Sequence, residues 1–158
     1  MPSVILGLGS NKGNKKKYLD SACVALGKIL KNMRRSSIYQ TSPQDYLEQD
    51  DFFNMVVEGE YEGSPFSLLD EIQKIEAING RNREKEISKG PRTLDIDLLF
   101  FDDISLNTPR LTIPHPQLEK RAFVLVPLLE LFPDFTKRNV SYKTFLPALK
   151  DQKVNKIY

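Results

Sequence analysis

Two carboxylates stand one residue apart in the run Gly90-Pro91-Arg92-Thr93-Leu94-Asp95-Ile96-Asp97-Leu98-Leu99-Phe100-Phe101. If this run is a strand, alternate side chains share a face. Asp95 and Asp97 then point the same way, about 6–7 Å apart, and Leu94, Ile96, Leu98 and Phe100 point into a core. Neighbouring carboxylates repel each other and resist burial. A divalent cation removes both costs, and magnesium takes one or two carboxylates and completes its octahedron with water and phosphate oxygens. An isolated Asp-x-Asp is also what a solvated pair at a sheet edge looks like, so the neighbours matter. Arg92 precedes Asp95 by three residues, and Arg81 and Arg83 head the same basic loop over residues 81–93. Guanidinium forks fit phosphate oxygens in bidentate fashion. A metal pair beside a basic loop that can close over it supplies what phosphoryl transfer needs, namely positioning and charge neutralisation.

Two further features bear on this chemistry. His115 is the only histidine, set between Pro114 and Pro116. It can donate to a phosphate or hold a turn, but it cannot build a multi-histidine metal site. The glycines of Gly7-Leu8-Gly9-Ser10-Asn11-Lys12-Gly13 match neither the P-loop nor Gly-x-Gly-x-x-Gly, and the stretch reads as a strand-ending turn.

The elements that must position these residues follow from periodicity. Ser3 to Leu8 reads as a buried strand. A helix follows from Lys15, with Leu19, Ala22, Cys23, Leu26, Ile29 and Leu30 at helical spacing. Met33 to Thr41 reads as a second strand, residues 41–51 as a loop containing Pro43, and Phe52 to Tyr61 as a third strand. Ser64-Pro65 gives an N-cap with proline in the first turn. The helix it opens turns Phe66, Leu69, Ile72 and Ile75 inward and stops at Gly80. Leu94 to Phe101 is the fourth strand. Beyond it come a short extended piece over Arg110 to Ile113 and a helical segment near Gln117–Leu131, with Pro127 inside. A short helix and an end piece follow from Ser141. The predicted class is α+β, a ferredoxin-like β-α-β-β-α-β core with extra C-terminal helices, giving an α/β/α sandwich.

The bulk properties narrow the function classes. The chain has 158 residues, which suits a single domain over residues 1–158. The net charge of +2 implies neither a nucleic-acid nor a membrane partner. Cys23 is the only cysteine, so no intrachain disulfide can form. It falls on the apolar stripe of its helix as a small buried hydrophobe. No stretch approaches the roughly 18 apolar residues of a membrane span, and the N-terminus lacks a signal peptide's order of charge before apolar core. The chain therefore reads as cytoplasmic, and a monomer is expected.

The motifs, taken in order, resemble a known family, the 6-hydroxymethyl-7,8-dihydropterin pyrophosphokinases of folate biosynthesis. The likeness runs through Gly9-Ser10-Asn11, Tyr39-x-Thr41, Asp51-Phe52-Phe53-Asn54, Gln73-x-x-Glu76 and Gly80-Arg81-x-Arg83. It is strongest over Gly90 to Asp97, and continues through Arg110-Leu111-Thr112-Ile113-Pro114-His115-Pro116 and Arg121-x-Phe123. The resemblance implies transfer of the β,γ-pyrophosphoryl group of ATP to the pterin's hydroxymethyl oxygen, with release of AMP. It implies that Asp95 and Asp97 hold two magnesium ions and that Arg81, Arg83 and Arg92 act on the phosphates. Gln73, Glu76, Arg83, Arg92, Arg110, Thr112, His115 and Arg121 would form the ATP site. Thr41, Pro43, Gln44, Phe52, Asn54, Asp95 and Phe123 would form the pterin site, with Phe52 and Phe123 sandwiching the ring. Phe52 stands where the family often has tyrosine, and Ser88 where a basic residue is common. Two readings from other classes compete: another Asp-x-Asp phosphoryl or glycosyl transferase, and a ferredoxin-like RNA-binding module. The second is weakened because residues 52–61 lack the RNP signature.

Overall fold

The computed structural model describes residues 1–43, 48–81 and 92–158. Its centre is an antiparallel sheet. β1 (Ser3–Ser10) runs between β4 (Phe52–Glu60) and β5 (Asp95–Phe101), antiparallel to both. On its far side β4 pairs with β2 (Lys31–Arg35) and β3 (Tyr39–Thr41); two short hairpins, β6 (Leu106–Asn107) with β7 (Thr112–Ile113) and β8 (Thr136–Lys137) with β9 (Val140–Ser141), lie outside the sheet, and β10 (Val154–Lys156) extends it beyond β3. The single strand expected over Met33–Thr41 is thus two. Ser36 sits at the break, where its N–H donates to the Val56 carbonyl (2.8 Å) and its hydroxyl accepts the Val56 N–H (2.9 Å). β4 therefore stays satisfied where the ladder lapses.

Both faces of the sheet are covered. α1 (Lys15–Leu26) and α2 (Pro65–Ile78) pack on Val4, Leu6, Leu8, Met55, Val57, Ile96 and Leu98. α3 (Ala122–Leu131) and a 3-10 stretch, Tyr142–Leu149, cover Ile5, Val56, Leu99 and Phe100. The Gln117–Leu131 segment splits into a 3-10 turn at Leu118–Lys120 and α3, and Pro127 lies buried within α3. Cys23 is buried in the first core, where burial pushes its thiol pKa up.

Two local devices set up the site. α2 opens on a reciprocal cap, each Ser64 or Ser67 N–H donating to the other's hydroxyl at 3.1 Å. It ends at Gly80 with φ 85°, where the Gly80 N–H reaches Ala77 O and the Arg81 N–H reaches Glu76 O, both at 3.1 Å. This reversal folds Arg81 back over the helix that carries Glu76. Leu68 is the buried residue of the first turns of α2, while Phe66 and Leu69 pack at the margin.

The second device is a bulge. Val4 faces Phe101 and Ile5 faces Phe100, but Leu6 faces Leu98, so Leu99 is extra. Alternation slips there, placing Leu99 and Phe100 in the α3-side core and Phe101 in the other. Phe100 was expected to share a face with Leu98, and the bulge is why it does not. The Leu99 carbonyl accepts the His115 N–H at 3.2 Å and so anchors the segment bearing that histidine.

Candidate active site

On the α3-facing side of the sheet the core is apolar only at one end. Along β1 this face carries Ile5, then Gly7 and Gly9. Along β4, read back from Val56, it carries Asn54 and Phe52, and along β5 from Leu99 it carries Asp97 and Asp95. In register, Gly7 lies opposite Asp97, and Gly9 lies between Asp95 and Asn54. The glycines are strand residues, so the turn expected to begin at Gly9 starts after Ser10 instead. At Gly9 a Cβ would fall 2.7 Å from Asn54 Nδ2, so a side chain there would displace the amide. The result is a hollow where the core would otherwise continue.

The hollow has two parts. The larger, about 550 Å³ counting the open solvent at its mouth, is lined by Gly9, Thr41, Ser42, Gln49, Phe52, Asn54, Arg92, Asp95, Arg121 and Phe123. The smaller, about 270 Å³, is bounded by Gly7, Asn54, Asp95, Asp97, Phe123 and Val124, among others. Asn54 is buried and fixed: the Thr41 hydroxyl donates to its Oδ1 at 2.6 Å, and its Nδ2 donates to Leu8 O at 3.4 Å. An amide carries two N–H groups and two lone pairs, so one of each remains to address the cavity. Phe52 and Phe123 supply apolar faces to the same space. Such a cavity suits a flat heteroaromatic ring with a polar edge.

Charge gathers beside it. Arg81, only 5% exposed, donates from Nη1 to Glu76 Oε2 at 2.7 Å and to Asp95 Oδ1 at 2.6 Å. Glu76, buried at 2%, also accepts the Ile96 N–H at 2.9 Å, which ties α2 to the carboxylate strand. Arg92 Nη1 lies 3.4 Å from Asp95 Oδ2. Across the strand, His115 Nε2 and Arg121 Nη1 approach Asp97 Oδ2 at 3.9 and 3.8 Å, and the Arg121 guanidinium lies 5.5 Å from the Phe123 ring centre. Asp97 is pushed up to about 7 by burial and then by the charge of Asp95, with Arg121 acting the other way. His115 is pushed down to about 4 by burial and then by Arg121. It is therefore neutral at pH 7, and because its Nδ1 accepts the Gln117 N–H at 3.2 Å, its proton is assigned to Nε2, on the side of Asp97.

Most of the residues singled out in the sequence converge here. Thr41, Phe52, Asn54, Asp95, Phe123, Arg92 and Arg121 line the larger cavity; Arg81 and Asp97 contact that set, and Glu76 and His115 join it through Arg81 and Asp97. Gln73 and Arg110 meet at 3.5 Å on the exposed side of α2, where Arg110 also pairs with Asp70. Thr112 lies on β7 (Thr112–Ile113), paired with β6 (Leu106–Asn107). Pro43 is described but is not among the residues lining the cavity. Gln44, Arg83, Ser88 and Lys89 lie outside the described residues. Gly9 and Asn11 are additions to the set. The buried Asn11 side chain accepts the Arg92 N–H at 2.8 Å and donates to Gln49 Oε1 at 2.6 Å, so it joins the loop at Gln49 to the loop at Arg92. Its signal is its place in Gly9-Ser10-Asn11, which reads both as a turn and as the first motif of the family resemblance, without a site role.

A carboxylate pair set among arginines, beside an aromatic-walled cleft on an antiparallel sheet, is the arrangement a phosphoryl-group transferase with a small planar acceptor requires. A family model described as 7,8-dihydro-6-hydroxymethylpterin-pyrophosphokinase (HPPK) matches residues 5–133. The 2-amino-4-hydroxy-6-hydroxymethyldihydropteridine pyrophosphokinase of Bacillus subtilis (strain 168) is 40% identical over 141 residues, covering 88% of this chain and 83% of its own length. Its namesake in Methylorubrum extorquens is 36% identical over 159 residues and covers 99% of each. Among solved structures, a wild-type Plasmodium falciparum HPPK-DHPS with SDX-DHP shares the fold, with a TM-score of 0.70 at 17% identity. The match covers 94% of this chain and 43% of that one. The chain belongs to the HPPK family of ATP-dependent pyrophosphokinases. That membership does not favour the RNA-binding reading or the alternative-transferase reading.

Proposed function

We propose that this chain moves the β,γ-pyrophosphoryl group of ATP onto the hydroxymethyl oxygen of 6-hydroxymethyl-7,8-dihydropterin, releasing AMP, as a step in folate biosynthesis. Family membership supports the reaction. The observation that carries the assignment to particular residues is the register of β1, β4 and β5, which sets Asn54, Asp95 and Asp97 around two glycines in one hollow. The strand order also supports the ferredoxin-like reading of the core.

Asp95 and Asp97 fit magnesium. They share a face, and burial together with mutual repulsion raises Asp97, a cost that a cation relieves. Among the described residues no cluster of three or more His, Cys, Asp or Glu could hold an ion. Two carboxylates completed by water and phosphate oxygens is the set magnesium accepts. Bound there, two magnesium ions would supply neutralisation of the phosphate charge.

The chain's own groups do the rest. Phe52 and Phe123 stack on the pterin, and Asn54, held by Thr41, hydrogen-bonds its edge, with Pro43 and Gln44 contributing from the adjacent loop. This fixes the hydroxymethyl group toward Asp95. Arg92, Arg121 and the neutral His115 donate to phosphate oxygens, with Arg81 and Arg83 adding charge as the basic loop closes. Gln73, Glu76, Arg110 and Thr112 bound the nucleotide. The hydroxymethyl oxygen bonds to the β-phosphorus and gives up its proton to solvent, the bond from that phosphorus to the α,β-bridging oxygen breaks, and AMP departs with that oxygen. The protein acts as a cytoplasmic monomer, through one domain spanning residues 1–158. The test is ³¹P NMR of the pterin product. Two coupled phosphorus resonances on the pterin are expected, and a single uncoupled one would overturn the proposal.

A further inference from the structure

Helix α3 starts without a cap of its own. Arg121 occupies the N-cap position at φ −120°, ψ 96°, and makes no side-chain capping bond, although Ser, Thr, Asp or Asn would ordinarily serve there. A residue from 31 positions further along the chain takes the role. The Gln152 side chain accepts the Ala122 N–H at 2.9 Å and donates to the Lys120 carbonyl at 2.9 Å. These two peptide groups flank Arg121, and Phe123 is the next residue of the helix. Gln152 is itself anchored, its N–H donating to Leu149 O at 3.0 Å. One residue on, the Lys153 carbonyl accepts the Ser42 N–H at 3.3 Å, and Val154 pairs with Thr41. Thr41, Ser42, Arg121 and Phe123 all line the large cavity. The stretch from Gln152 to Val154 therefore joins the Thr41–Ser42 part of the lining to the start of α3.

We propose that Gln152 is a positioning residue for the pterin site, setting the place of Phe123 by capping α3 from outside and fixing that helix end to the Thr41–Ser42 part of the lining. The proposal rests on the reading that Phe123 stacks on the pterin. Gln152 lies beyond residues 5–133, where the family match ends. A carboxamide is suited to this task because it offers one acceptor and one donor at once. A carboxylate keeps the bond from Ala122 but faces the Lys120 carbonyl with a second acceptor. Alanine leaves the N–H of buried Ala122 without its partner.

The experiment is a double-mutant cycle on pterin affinity, measured by isothermal titration of 6-hydroxymethyl-7,8-dihydropterin into the full chain with a non-hydrolysable ATP analogue and magnesium. Gln152→Ala is expected to raise the pterin dissociation constant about tenfold, as one or two lost hydrogen bonds at a helix end allow. Gln152→Glu, a milder change should the alanine variant fold poorly, is expected to raise it about threefold. In the Phe123→Ala background both changes are expected to shift it less than twofold, because the effect passes through Phe123. Equal shifts in both backgrounds, or an unchanged constant in folded Gln152→Ala and Gln152→Glu proteins, would overturn the positioning role. If Phe123→Ala alone left the affinity unchanged, the stacking reading would fail and this proposal with it.

Discussion

Arg81 holds two carboxylates with one nitrogen, and its removal has a consequence that magnesium should reverse. Arg81→Met keeps an unbranched apolar stem of similar reach and deletes the charge. Glu76, at 2% exposure, then faces Asp95 across the space its partner occupied. Breaking a buried ion pair from one side costs about 3–5 kcal/mol, because the remaining charge is left uncompensated. Asp95 retains 23% exposure and its approach to Arg92, which places the loss near the lower end, at about 3 kcal/mol. For a chain of this length that corresponds to a melting temperature lower by roughly 6–12 °C. The assay is urea unfolding of both proteins in a metal chelator and again in saturating magnesium. Magnesium bound at Asp95, as proposed, would replace the missing positive charge, so it should stabilise the variant more than the wild type. Adding Glu76→Gln to the variant should recover part of the loss. A loss under about 1 kcal/mol in chelator, far below the buried-pair cost, or equal stabilisation by magnesium in both proteins, would refute the reasoning.

Phe123→Ala should weaken pterin binding by about 1–3 kcal/mol, the usual worth of an aromatic stacking partner, as read by direct titration; wild-type affinity would remove Phe123 from the site. Gly9→Ala places a methyl 2.7 Å from Asn54 Nδ2, so pterin affinity should fall about tenfold, in line with one displaced hydrogen bond; an unchanged affinity would show that Asn54 does not meet the pterin edge. Stability of the metal-free protein should carry a component that falls as pH rises from the unfolded aspartate value of about 3.9 to about 7, where folded Asp97 titrates. Across that window the folded state keeps a proton that the unfolded state has already released, so stability declines with pH until folded Asp97 also ionises. Chemical denaturation at several pH values should show this slope in the wild type and not in Asp97→Asn.

What was legible in the sequence was whatever periodicity or paired chemistry could express. Asp95 and Asp97 announced themselves by a two-residue spacing inside an apolar run, and Ser64-Pro65 and Gly80 by cap chemistry. The bulge at Leu99 left no trace, because Leu98 to Phe101 is apolar throughout and offers no alternation to interrupt. The break at Ser36 was hidden because that side chain substitutes for a ladder bond. Gly7 and Gly9 look like turn residues in one dimension. Only the pairing of β1 with both β4 and β5 shows that they make room for Asn54 and for the space beside the aspartates. β10 is three residues long and mostly polar, with no strand signature of its own, and its pairing with β3 is a long-range choice. Gln152 is invisible for the same reason, since its partners lie about 30 residues back and are peptide groups rather than side chains.

The central claim is that pyrophosphate, rather than a single phosphoryl group, leaves ATP at the Asp95–Asp97 pair. The direct measurement is the nucleotide product formed from ATP, magnesium and 6-hydroxymethyl-7,8-dihydropterin, resolved by ion-exchange chromatography. AMP is expected in a one-to-one ratio with pterin consumed, absent without magnesium, absent without the pterin, and nearly abolished in a folded Asp97→Ala variant. ADP in place of AMP, or AMP formation undiminished in Asp97→Ala, would contradict the account.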